Sequence, residues 1–388
     1  MMRITYLTAL LVAAGCASPQ TPPADGPAPQ TARNGRRPPA GIESSRRNTV
    51  IENARPDVAA RAGMLVVANQ QGASATVLDA ATLGTIATVT VGVGPHEVAV
   101  SPDGRWAVVT NYGDRATRGH SVSVIDLALA MPAVTRTIAL GEYERPHGAA
   151  FVANGSKLLV TSEASNRLVI VDFASGRIDT TLATNARGSH MVATRRDGRR
   201  AWTANIADSS VTEFDIDLRR TIRTYHGAAM NEGIAATPGG VEVWVGSNTD
   251  KTVTILDGAT GRASATLTGF GFPYRIGIAR TGNIAVVNDP TSNRIWLYDI
   301  ATRQRVAELD LAKADGLVMP ATTGGTPGGT GAGPEGVAFD PIAGFAYVTL
   351  HGTNQVVAVD LGARKVVGAG GVGAGPDGIG FSALVHPR

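Results

Sequence analysis

Gly94-Pro95-His96-Glu97-Val98-Ala99-Val100-Ser101-Pro102-Asp103-Gly104 opens a unit that continues through Trp106 to Asn111, a polar loop, Ser121 to Asp126, a second turn and Val134 to Leu140. Apolar positions alternate as in a strand with one buried face, and proline, aspartate and glycine mark the turns. Four short strands therefore follow one another, named A to D from the channel outward. The same order returns from Pro146, Ser189, Asn231, Pro273 and Pro334.

Strand C ends each time on an aspartate. The seven are Asp79, Asp126, Asp172, Asp215, Asp257, Asp299 and Asp360, at successive intervals of 47, 46, 43, 42, 42 and 61 residues. A period of roughly 40–45 residues built from four strands is the signature of propeller blades. Six units are complete. Met64 to Val91 supplies strands B, C and D without an A strand, and Pro376 to Val385 is an A strand without partners. Joining them predicts an all-β, seven-bladed β-propeller over residues 62–386, closed by the C-terminal strand pairing with the N-terminal blade. Such closure leaves no long sheet edge open to aggregation. The long interval marks an insertion over residues 312–333, expected as a tolerated surface loop, with a lid as the alternative. The repeated aspartates read as turn caps, and Trp106, Trp202, Trp244 and Trp296 as filling between blades.

Composition agrees with this reading and narrows the partners. Forty-seven glycines suit tight turns better than long helices, and a net charge of +3 does not by itself call for a polyanion. Ahead of the repeats, residues 1–15 form a basic start and an apolar run well short of a roughly 20-residue membrane span, as in a signal peptide. The run ends in Ala13-Ala14-Gly15-Cys16, and Cys16 is the only cysteine of the chain. This stretch resembles a bacterial lipobox, and the resemblance implies lipidation of Cys16 and a periplasmic protein anchored to the outer membrane. Residues 16–58 are rich in proline and arginine and read as a disordered tether.

The repeat resembles the YVTN (YncE-like) β-propeller family. The resemblance rests on Gly94 to Gly104 with Val108-Val109-Thr110-Asn111, on Tyr347-Val348-Thr349 with Asn354 to Asp360, and on Trp202-Thr203-Ala204-Asn205. Ser189 and Asn231 stand where the family has proline, and Leu350 replaces its asparagine. The family implies a seven-bladed extracytoplasmic propeller, and related propellers include lactonases and metal-dependent lyases.

The residue opening strand A is expected at the channel mouth. Around the ring it is His96, His147, His190, Glu232, Tyr274, Glu335 and Asp377, although the chain has only seven histidines. Imidazole and carboxylate donors suit a divalent metal, with His96, His147 and His190 on consecutive blades and Glu232, Glu335 and Asp377 completing the set. The alternative is a hydrated channel lined by polar groups. Loops between strands B and C add Tyr112, Glu163, Asn205, Asn248, Asp289 and His351 on the same face. Among these, His147, Glu163 and His351 are the acid/base candidates.

On the opposite face Arg195, Arg196, Arg199, Arg200, Arg219 and Arg220 mark two turns of one blade, a candidate polyanion site. Aromatic residues are only 5% of the chain, which argues against a nucleic-acid partner read by base stacking. Three functions remain open: a monomeric binding protein for a protein partner or small ligand at the channel face, a metal-dependent lactonase or lyase, and polyanion binding.

Overall fold

The computed structural model describes residues 61–387 except 153, 228–229, 315–316 and 318–330. The signal segment, Cys16 and the tether lie outside the described residues, as does most of the 312–333 insertion.

Among the described residues, twenty-eight strands form seven four-stranded antiparallel sheets, one per repeat. The first blade is composite: Pro376–Ser382 lies beside Met64–Asn69, followed by Ser74–Asp79 and Thr85–Thr90. Blades two to five begin at Pro95, Pro146, Ser189 and Asn231, blade six at Arg275 and blade seven at Pro334. The C-terminal strand closes the ring as the sequence predicts.

Alternation of side chains explains why the sheets stand face to face. In the first blade Leu65 and Val67 turn towards Phe345 and Tyr347 of blade seven, whereas Met64 and Val66 turn towards Ala107 and Val109 of blade two. Buried apolar side chains fall into seven clusters among the described residues, each spanning one seam between neighbouring blades. Trp202 and Trp244 are fully buried in two of these seams, and truncating either costs about 3–5 kcal/mol. Each strand-C aspartate accepts from the turn after it, as Asp79 does from the Thr82 backbone at 2.8 Å and Asp257 from the Thr260 backbone at 2.7 Å. They are caps.

Strand A carries the feature that matters for function. Its second and third residues form a β-bulge in six of the seven blades, between Pro95 and Val98 for example, and between Pro334 and Val337. A bulge bends the strand and re-aims the side chains it carries. Glycine takes the third position in blades one, three, five and seven. A Cβ on Gly233 would stand 2.4 Å from the Tyr274 carbonyl, and one on Gly336 2.3 Å from that of Asp377, so only glycine lets neighbouring A strands approach. Strand-B threonines pin the bulges. Thr110 Oγ1 accepts from the Glu97 backbone and donates to the His147 carbonyl, both at 2.9 Å. Thr161 and Thr349 make the same pair of bonds around Gly148 and Gly336, reaching the carbonyls of His190 and Asp377.

Candidate functional site

The bulges collect the ring residues at one end of the channel. His147, His190, Glu232, Tyr274, Glu335 and Asp377 are buried there, and His96 is half-buried. Three imidazoles stack in a row. The rings of His96 and His147 are 4.5 Å apart and those of His147 and His190 3.7 Å, with Tyr112 edge-on to the first two.

At the centre lies Arg275, a residue that sequence reasoning missed. Its side chain is fully enclosed and meets Glu97 Oε1 at 2.8 Å, Glu232 Oε1 at 2.7 Å and Asp377 Oδ1 at 3.6 Å. It occupies the third position of strand A in blade six, where glycine stands in four other blades. Glu97 holds that position in blade two and, like Arg275, turns into the channel. A charged residue at a position otherwise reserved for close blade packing is the signal that would have found Arg275, as it singles out Glu97.

A second chain of contacts starts at His190. Its Nδ1 donates to Glu163 Oε2 at 2.7 Å and its Nε2 to Glu232 Oε1 at 2.6 Å. Burial alone would lower its pKa, but Glu232 and Glu163 outweigh burial and raise it to about 9. His190 is therefore an imidazolium clamped between two carboxylates. Burial would raise Glu232, yet His190 and Arg275 bring it down to about 2. Tyr112 donates to Glu163 at 2.9 Å and Asn248 to Glu232 at 3.1 Å.

The remaining ring residues pair in the same manner. His96 Nδ1 lies 2.5 Å from Asp377 Oδ2, and the Gln70 amide nitrogen reaches the other ring nitrogen at 3.0 Å. His351 Nδ1 lies 3.1 Å from Glu335 Oε2 as an ion pair without hydrogen-bond geometry, with Gln71 on its far side at 3.2 Å. Burial raises Glu335 to about 7, and Glu335 in turn raises His351. Of the loop candidates, Tyr112, Glu163, Asn248 and His351 join the network. Asn205 instead ties down Ser210 and Thr212, and Asp289 accepts from the backbone of Gly271 and Phe272.

His147 differs from its neighbours. Its Nδ1 is buried without a hydrogen-bond partner, and burial, helped by His190 and His96, holds its pKa well below the ordinary value. It is a neutral imidazole with a free nitrogen. Donor atoms of His147, Glu163 and His190 lie within 4.8 Å of one another, so these three are the residues that converge on one point. His96, Glu335 and Asp377 are committed to partners of their own.

Beside the network, a cavity of about 520 Å³ opens between blades one and two, bounded by His96, Tyr112, Gln70, Gln71, Arg115 and Arg145. Arg145 lies over the Tyr112 ring at 4.7 Å and donates to the Asp114 carbonyl at 2.8 Å. The Asp114 carboxylate is taken up by the backbone of Ala116 and Thr117, and no ion pair involves Arg115 among the described residues. The cavity is net positive.

On the opposite face the six arginines of blade four are largely neutralised. Arg195 pairs with Asp197 at 2.6 Å, Arg199 with Asp217 at 3.3 Å, Arg200 with Glu213 at 3.4 Å and Arg219 with Asp179 at 3.1 Å. Among the described residues only Arg196 and Arg220 of the six lack an ion pair.

The molecule is a seven-bladed β-propeller with an ionised network filling one channel mouth. Solved structures share that fold. It is similar to Kuenenia stuttgartiensis hydrazine synthase, at 17% identity and a TM-score of 0.61 over 75% of this chain and 90% of that one. It is also similar to a functionally unknown protein from Desulfotomaculum acetoxidans, at 15% identity and a TM-score of 0.65 over 84% of this chain and 100% of the other. No family model matches the sequence, and no curated protein does either.

Proposed function

We propose that this propeller is a YVTN-type binding protein that takes a small anionic ligand at the networked mouth of its channel. One observation carries the reading: the 520 Å³ cavity beside His96, whose wall offers the Tyr112 ring and two guanidinium groups. Ligand sites are concave, in the range of about 300–1,000 Å³, with a few convergent polar groups on an otherwise preformed wall. The ion network beneath keeps that wall rigid. An extracytoplasmic setting, with lipidation of Cys16 anchoring the chain to the outer membrane, belongs to the same proposal and follows from the lipobox resemblance.

Isothermal titration with citrate, phthalate and inorganic phosphate tests the ligand reading. At least one should bind with unit stoichiometry, and Arg145→Ala together with Arg115→Ala should weaken it about tenfold or more. Binding unaffected by both substitutions, or no binding by any of the three, would remove the proposal.

A second reading has its own observation in the free Nδ1 of His147 and the convergence of His147, Glu163 and His190. Two imidazoles and a carboxylate are a fitting donor set for a divalent ion such as zinc, which would polarise a carbonyl in a lactonase or lyase. His190 must first release a proton, so zinc uptake should strengthen steeply between pH 6 and pH 9. Protein that takes up no stoichiometric zinc at pH 9 ends this reading and the enzymatic one with it. Polyanion binding through blade four is the weakest reading, because four of its six arginines are already paired.

A further inference from the structure

Strand A runs the length of the channel, and its sixth residue repeats as regularly as its second. Around the ring the sixth positions are Val100, Phe151, Thr194, Ala236, Ile278, Phe339 and Phe381. All seven are half-buried and all border one cavity of about 550 Å³ at the mouth opposite the ion network. Five are branched or aromatic hydrophobes. Side chains of this type at the open end of a channel keep apolar surface in contact with water, which costs roughly 25 cal/mol for each Å² left uncovered. One side of each packs against a blade seam, Phe151 edge-on to Phe173 and Phe381 stacked on Tyr347, and the other side is left facing the cavity.

The rim carries a matching signal two residues further on. This position is proline in blades two, five and seven, as Pro102, Pro238 and Pro341, but arginine in blades four and six, as Arg196 and Arg280. Both arginines border the cavity, and among the described residues neither has an ion pair. Arg195 joins them but is paired with Asp197 at 2.6 Å. Among the described residues the one carboxylate on the cavity wall, Asp103, is bound to the Ser101 hydroxyl and to the Arg105 backbone within its own turn.

We propose that this mouth is a second binding site, for a compact organic anion with an aromatic or branched apolar body and a single acidic group. The apolar ring covers the body, and Arg196 and Arg280 hold the acid at the rim. Charge complementarity and shape select this occupant. An inorganic anion would leave the hydrophobic ring wet, and a long polyanion would find only two unpaired guanidinium groups.

Titration with 8-anilinonaphthalene-1-sulfonate, followed by its fluorescence, tests this directly. The dye should bind once per chain and be displaced by 2-naphthoate, but not by 2-naphthylmethanol or polyphosphate at equal concentration. Arg196→Ala and Arg280→Ala should each weaken binding roughly fivefold, as loss of a partly exposed charge contact does. Phe339→Leu should weaken it with an unchanged circular dichroism spectrum. Arg145→Ala, at the other mouth, should leave it unaltered. Binding that does not saturate, that survives both arginine substitutions, or that polyphosphate displaces would overturn the proposal.

Discussion

The same seven strands build both ends of this channel, and four residues of travel reverse its chemistry. At the second position stand three histidines, three acids and a tyrosine, and at the sixth stand valine, isoleucine, three phenylalanines, threonine and alanine. The two rings lie about 13 Å apart along the strand. Within the network at the first end the charges face one another, with Arg275 and an imidazolium at His190 against Glu97, Glu163, Glu232 and Asp377, while Arg115 and Arg145 of the adjoining cavity have no ion pair among the described residues. At the second end the hydrophobic ring packs on the seams with one side only and stays half-buried, and Arg196 and Arg280 have no ion pair among the described residues. The difference teaches where affinity for an outside molecule resides: in groups the fold leaves unanswered, not in those it has already paired.

If the ionised end is structural, breaking it should unfold the protein before anything else does. Arg275→Met leaves Glu97, Glu232 and Asp377 enclosed without their cation, and removing one member of a buried ionic set costs about 3–5 kcal/mol. Chemical denaturation checks this. A loss below about 1 kcal/mol would mean that water, not Arg275, balances these acids.

The second test varies pH on metal-free protein. His190 has a folded pKa of about 9 against an ordinary 6.5, so its contribution is fully present below pH 6.5 and is lost as pH rises through 9. Glu232 has the opposite sign. At about 2 against 4.5, its contribution is present above pH 4.5 and is lost as pH falls through 2. Glu335, raised by burial to about 7, also binds its proton more tightly when folded and so adds to the loss above pH 4.5. Stability should therefore peak near pH 4.5, decline towards pH 7 as Glu335 releases its proton, and fall by about a further 3 kcal/mol between pH 6.5 and pH 9 as His190 releases its own. His190→Gln should flatten most of the upper slope. A variant that keeps the whole slope would place the titrating group elsewhere.

The smallest effect is expected at the apolar end. Phe339→Ala removes a half-buried side chain from an open cup and should cost about 1–2 kcal/mol, well short of a fully enclosed phenylalanine. A loss equal to that from Arg275→Met would erase the contrast between the two ends.

Much of this was legible in the residues. The aspartate interval set the blade number, and the orphan strand Pro376–Ser382 announced the closure found in the first sheet. Position two of strand A named the ring because one residue per repeat needs only counting. Arg275 escaped for a physical reason. In blade six the paired strand begins only at Arg275 and carries no bulge, so a position count carried over from the bulged blades points to Tyr274 instead of Arg275. Gln70 and Gln71 escaped because they sit in a short helical turn particular to the first blade. The apolar ring was present in the sequence all along, yet strand hydrophobes read as ordinary core until geometry shows them bordering a cavity.

Nitrogen-15 chemical shifts of the histidine rings, recorded at pH 7.5 on metal-free protein, test the paired end most directly. Both ring nitrogens of His190 should carry protons and remain protonated until about pH 9, while His147 should be neutral throughout. A His190 that titrates near its ordinary value, or a charged His147, would contradict the account of an internally satisfied mouth.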